Sequence, residues 1–119
     1  MSEQDCFRFA IDTELEPWDF PAEDVIAGKP RTRGHSVTYT SPGGTEVFTG
    51  IFALDPCTIR AVVAATETIQ VLEGEMDVSF DSGASFTAKA GDIVVFPAGT
   101  TTVREVKSPY KEHFIHASG

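Results

Sequence analysis

The chain contains thirteen Thr, eleven Val and seven Ile against three Leu and two Met. Branching at Cβ restricts χ1, which disfavours helix and suits a pleated, half-buried surface, so this residue choice directs the chain into β-structure. Turn residues punctuate it at short intervals: Pro42-Gly43-Gly44, Asp55-Pro56, Glu73-Gly74-Glu75, Asp81-Ser82-Gly83, Pro97-Ala98-Gly99 and Ser108-Pro109. Glycine supplies positive φ at such places and proline presets the turn. The intervening segments predict strands over Ser36–Thr40, Glu46–Leu54, Thr58–Val63, Glu67–Glu73, Glu75–Phe80, Ser85–Ala88, Asp92–Phe96, Thr101–Val106 and Tyr110–His116. Short strands so spaced predict an all-β sandwich or barrel. A length of 119 residues fits one domain and excludes a paired dinucleotide-binding fold or an α/β barrel.

Residues 36–119 form the predicted body. Residues 1–35 read as an arm packing on it, because Pro17, Pro21 and Pro30 interrupt any long element. Phe7, Phe9 and Ile11 alternate, and Trp18, Phe20 and Val25 are apolar enough to dock. The arm is expected to hold one strand and one short helical turn. Within the body, Met76, Val78 and Phe80 share one strand face and Asp77 and Ser79 the other. The unbroken run Ile93-Val94-Val95-Phe96 reads as buried on both faces. Glu67 has the parity of Ile69 and Val71, which turns a carboxylate inward and obliges it to find a partner.

The formal charge of −9 disfavours nucleic acid and anionic membrane surfaces, both of which call for surplus Lys and Arg. Most of that charge lies in residues 1–24, where eight acids and one base sum to −7, leaving −2 for residues 25–119. The basic cluster Lys29, Arg31 and Arg33 that follows is expected to pair with this acidic segment, within the chain or across a dimer. The chain has no apolar run near the roughly 20 residues of a membrane span. The start MSEQDCFRFA has no secretory pattern, so the expectation is a cytoplasmic protein with Cys6 and Cys57 as reduced thiols. Phosphate-binding loops, a G-x-S-x-G elbow, H-E-x-x-H and Cys–His zinc spacings are absent from the sequence.

Two spacings carry a resemblance. Glu67-Thr-Ile-Gln-Val-Leu-Glu-Gly74 has the E-x6-G pattern that closes the first cupin motif, and Gly91-Asp-Ile-Val-Val-Phe-Pro97-Ala-Gly99 has the G-x5-P-x-G pattern that opens the second. Val71-Leu72-Glu73-Gly74-Glu75, Ala90-Gly91-Asp92 and Tyr110-Lys111-Glu112-His113-Phe114 resemble the small cupins related to ethanolamine-utilisation proteins and ureidoglycine aminohydrolases. Gly50-Ile51-Phe52 and Gly28-Lys29-Pro30-Arg31-Thr32-Arg33 resemble the same group, so the likeness runs from Trp18 to His116. It implies a jelly-roll β-barrel of two packed antiparallel sheets, and a homodimer.

The chain departs from the family where the metal would sit. Metal-dependent cupins carry His-x-His ahead of the glutamate and a further His after the last glycine of the second motif. Those positions are Ala61, Val63 and Thr102 here, and the Asn position that follows falls on Val106. One acidic ligand does not hold a transition metal that normally takes three or four donors, so the sequence predicts neither metal nor cofactor. If Thr102 faces inward, so does Arg104, and Glu67 and Arg104 are expected to meet as a buried pair. In a catalytic reading Glu67 is the acid or base and Arg104 binds a carboxylate-bearing ligand beside Thr102. The alternative is a structural ion pair that fills the former metal site. His113 and His116 are three apart and so on opposite strand faces. Lys111 and His113 share a face and are assigned to the cavity mouth as further substrate-binding residues, with a solvated sheet face as the alternative. Arg60 is expected to face outward, and Tyr39, Phe52, Phe96 and Phe114 to be core or wall. The function that follows is a small polar metabolite bound inside the fold, by a metal-independent enzyme of nitrogen or carbon metabolism or by a non-catalytic sensor or dimerising module.

Overall fold

The computed structural model describes residues 6–118. Its strands are β1 (Glu16–Pro17), β2 (Val25–Gly28), β3 (Arg33–Thr40), β4 (Glu46–Leu54), β5 (Cys57–Val62), β6 (Thr66–Glu73), β7 (Glu75–Phe80), β8 (Ser85–Lys89), β9 (Ile93–Phe96), β10 (Thr101–Val106) and β11 (Tyr110–Ser118). A 3-10 turn at Ala22–Asp24 is the helical element among the described residues. One sheet has the order β1-β3-β4-β11-β6-β9 and the other β2-β5-β10-β7-β8, with every pairing antiparallel. The layers face each other as in a jelly roll but do not close into a continuous barrel. The arm supplies an outer strand to each, β1 to the first and β2 to the second.

All nine expected strands form. The main extension is β3, which starts at Arg33 because the long β4 offers it a ladder from Arg33↔Ala53 to Thr40↔Glu46. Alternation sets the core: Ile69 and Val71 from β6 and Met76 and Val78 from β7 are at most 1% exposed, and Phe96 and Phe114 pack with them. At the β6–β7 reversal Gly74 adopts φ +76°, and a side chain there would collide with the Pro109 carbonyl oxygen. No helix among the described residues is long and apolar enough to cross a membrane.

Two expectations are corrected. The run Ile93–Phe96 is not buried on both faces: the facing sheet covers one side of β9, so Val94 and Phe96 turn inward while Ile93 and Val95 are 67% and 58% exposed. Tyr39 is an outer residue, stacked on Phe7 of the arm at 5.9 Å. Arg31 and Arg33 both approach Asp55, at 3.8 and 3.3 Å. The hydrogen bond from the Asp55 amide to the Pro30 carbonyl (2.7 Å) brings that turn beneath them.

Candidate functional site

Antiparallel register arranges the inner face of the larger sheet in rows. One row runs Phe48, His116, Glu67, Phe96 across β4, β11, β6 and β9. The next holds Phe114 and Ile69, and a third holds Phe52, Glu112 and Val71. From the facing sheet, β10 directs Thr102 and Arg104 inward between β5 and β7. Trp18, between β1 and the 3-10 turn, lies on Phe48, Phe52 and Phe114 with ring centres 5.5–6.0 Å away. Its seat depends on Gly34, since a β-carbon there would overlap the indole.

Between the sheets lies a cavity of about 390 Å³, bordered by Trp18, Phe48, Phe52, Phe114 and Arg104 among these groups. Its walls are mainly apolar, and its polar lining within the fold is Glu67, Arg104, Glu112 and His116. The exposed lining residues Asp19, Pro21, Val62 and Ala64 place its mouth between the arm and the β5–β6 connection. A volume of this size is within the ordinary range for small-molecule pockets, about 300–1,000 Å³.

The Glu67 carboxylate is the hub of the polar groups. Arg104 Nη2 donates to Glu67 Oε1 at 2.8 Å across the two sheets, and His116 Nε2 donates to Oε2 at 2.7 Å. Arg104 Nε donates to Thr102 Oγ1 (3.0 Å), whose own hydroxyl donates to the Ala61 carbonyl (3.1 Å). The guanidinium also lies 4.2 Å from the Phe96 ring centre. Burial is the largest single influence on Glu67 and pushes its carboxyl up. The His116 hydrogen bond and the Arg104 charge and hydrogen bond together outweigh it, so Glu67 is held below the usual range and ionised.

Glu112 is placed differently. It is 4% exposed, and the hydroxyl of Tyr110 donates to its Oε1 at 2.7 Å. Burial first, then the negative charge of Glu67, push its carboxyl up to about 7, against the opposing pull of Arg104, Tyr110 and His116. Tyr110 is itself pushed well above the phenol range by burial and by Glu112. One cavity thus holds an ionised carboxylate and a carboxyl that keeps its proton up to neutrality.

Of the five residues singled out from sequence, three come together: Glu67, Thr102 and Arg104. Lys111 and His113 do not reach the cavity. They lie on the outer face of β11, where His113 Nε2 approaches Thr49 Oγ1 at 3.2 Å and its ring packs on Phe9 of the arm. On the same strand Tyr110, Glu112, Phe114 and His116 face inward. The signal was in the alternation: two large aromatics at 110 and 114 mark that face as the buried one, and the ionisable residues sharing their parity are 112 and 116. Arg60 is exposed and Cys57 buried, its thiol pushed up by burial and then by Asp55.

The donor set does not suit a metal ion. Ala61 and Val63 line the cavity in place of imidazoles, the Thr102 hydroxyl is engaged, and Glu67 already neutralises a guanidinium. Among the described residues no three His, Cys, Asp or Glu side chains are grouped to hold one.

Residues 40–114 match the family model described as the EutQ-like cupin domain. Among solved structures, the EutQ protein of Clostridium difficile is similar at 18% identity and TM-score 0.60, over 72% of this chain and 61% of that one. A protein of unknown function of the DUF861 family from Pseudomonas syringae reaches TM-score 0.79 at 17% identity, over 92% of this chain and 46% of that one. A DUF861 protein of Thermotoga maritima is 26% identical, with TM-score 0.53, over 54% of this chain and 73% of that one. The chain therefore spans less than two thirds of the C. difficile protein and less than half of the P. syringae protein. No curated protein matches it.

Proposed function

Because this chain belongs to the EutQ-like cupin family yet groups no metal-binding donor set among its described residues, we propose that it binds a small molecule directly through protein groups in the cavity between its sheets. Glu67, Arg104, Glu112 and His116 are the polar groups that meet the ligand, and the aromatic wall of Trp18, Phe48, Phe52 and Phe114 takes its apolar part. The carrying observation is that the Glu67 ion-pair cluster borders about 390 Å³ of free volume. A structural pair filling a lost site would be covered by packed side chains instead.

The same groups support acid–base chemistry on the bound molecule. Glu67 fixes the His116 tautomer with hydrogen on Nε2, leaving Nδ1 as an acceptor in the neutral ring, while Glu112 carries an exchangeable proton. Thermal-shift screening of amines, ureides, keto acids and sugars tests the binding. Ligands that raise the melting temperature of this protein but not of Ala61→Phe, which fills the cavity, support the proposal. A panel without effect on either protein points to a structural module.

A further inference from the structure

Resting on the cavity reading above, we propose that the ligand is a cationic amine with an apolar body, seated with its ammonium group between Glu112 and the aromatic wall. Arg104, the obvious receptor for an anion, already uses two of its three nitrogens, on Thr102 and Glu67, and lays its face on Phe96. Glu67 and Arg104 cancel in charge, so the cavity offers an anion no surplus positive charge from that pair. Among the described residues Glu112 has no cation in hydrogen-bond contact, although Arg104 and His116 act on it through space. Its hydrogen-bond partner Tyr110 is uncharged, and a buried carboxylate gains most from a cation brought within reach.

The surroundings of Glu112 favour the same class. Phe52 is its direct cross-strand partner on β4, and Phe114 is the next inward residue on β11. Directly opposed side chains in an antiparallel pair have Cβ atoms about 4.5–5.5 Å apart. Trp18 contacts both rings. Aromatic faces attract an ammonium group through their quadrupole, more strongly where water is excluded. Asp19 at the mouth adds a negative charge on the entry path. Binding requires the Glu112 proton to leave, so the ammonium displaces it and affinity falls as the medium becomes acidic. The other ionisable groups acting on Glu112 are Glu67 from β6, Arg104 from β10, and Tyr110 and His116 from its own strand.

The test compares three probes of one shape by calorimetry: 2-phenylethylamine, 2-phenylethanol and 3-phenylpropanoate, each at pH ~8 and pH ~6 on either side of neutrality. The amine is expected to bind at least about tenfold tighter than the alcohol or the acid at the higher pH. Its affinity should fall by about tenfold at the lower pH while that of the alcohol stays constant. Glu112→Gln, checked for an unchanged fold by circular dichroism, should reduce the amine to the level of the alcohol. The pH comparison on the unaltered protein decides independently if that variant does not fold. A carboxylate preference, or amine binding indifferent to pH and to Glu112→Gln, overturns the amine assignment and leaves the cavity reading standing. Absence of binding by all three probes, with the wider panel also silent, overturns both.

Discussion

Glu67 and Glu112 project into one cavity from adjacent strands of one sheet, and their chemistry differs because of what stands beside them. Glu67 is met by a guanidinium from the opposite sheet and an imidazole from the neighbouring strand. Glu112 is met by a phenol, with Phe52 as its cross-strand neighbour on β4. Burial pushes both carboxyls up, but only at Glu67 do cationic partners reverse the direction. Side-chain burial alone therefore does not identify the ionised group; the identity of its nearest donor does.

The largest expected effect comes from removing the hub. Glu67→Ala leaves Arg104 buried without a counter-charge and should cost about 3–5 kcal/mol in urea unfolding. The double variant Glu67→Leu/Arg104→Met should recover most of that loss, since an apolar pair of similar volume removes the unpaired charge too. If the double variant is no more stable than Glu67→Ala, the ion pair does not act as a unit and the contrast with Glu112 weakens.

The pH dependence of stability separates the two carboxylates. Glu67 has a depressed folded-state value, so its contribution is present above the ordinary carboxylate range and is lost as pH falls through it. Glu112 is raised, so the native state holds a proton that the unfolded chain releases, and stability declines as pH rises from the ordinary range to about 7. That decline amounts to up to about 3 kcal/mol over the window. In Glu112→Gln the decline on the neutral side should disappear while the loss on the acid side remains. Denaturant titrations across pH check both limbs, and an unchanged neutral limb in the variant would remove Glu112 as its source.

The aromatic wall can be disturbed without touching either carboxylate. Gly34→Ala drives a methyl group into the Trp18 ring and should cost about 1–3 kcal/mol through overpacking. Indole fluorescence should shift as the ring leaves Phe48, Phe52 and Phe114. An unaltered emission spectrum would show that the wall tolerates the change and that Gly34 does not set its position.

How much of this was legible in the sequence follows from the range of each interaction. Strand positions and the inward turn of Glu67, Thr102 and Arg104 rest on local alternation and turn chemistry, which act over a few residues and can be read directly. The exposure of Ile93 and Val95 is not legible locally because an apolar run reports composition, whereas burial depends on whether a layer packs on each face of the sheet; here only one face of β9 meets the other sheet. Barrel closure and the docking of Phe7 and Phe9 on the outer face of the larger sheet depend on contacts distant in sequence. Glu112 and His116 were within reach of alternation, because their parity is that of Tyr110 and Phe114. Lys111 and His113 also share a parity, but it is the opposite one, and ionisable chemistry does not itself report which face a strand buries.

β11 itself provides the smallest and most discriminating check. Its outer residues Lys111 and His113 differ from inner Glu112 and His116 by one step of alternation, yet lie on the other side of the sheet. Lys111→Ala should change stability by no more than about 0.5 kcal/mol, as befits a side chain away from the core and the ion-pair cluster. It should leave ligand binding in the cavity unaltered. His113→Ala removes a contact with Thr49 and Phe9 and should loosen the arm over that face while also sparing the cavity. Measuring binding in these two variants beside Glu112→Gln and His116→Ala tests the register of the whole strand. Loss of binding in the outer pair with retention in the inner pair would require β11 to be displaced by one residue against both β4 and β6.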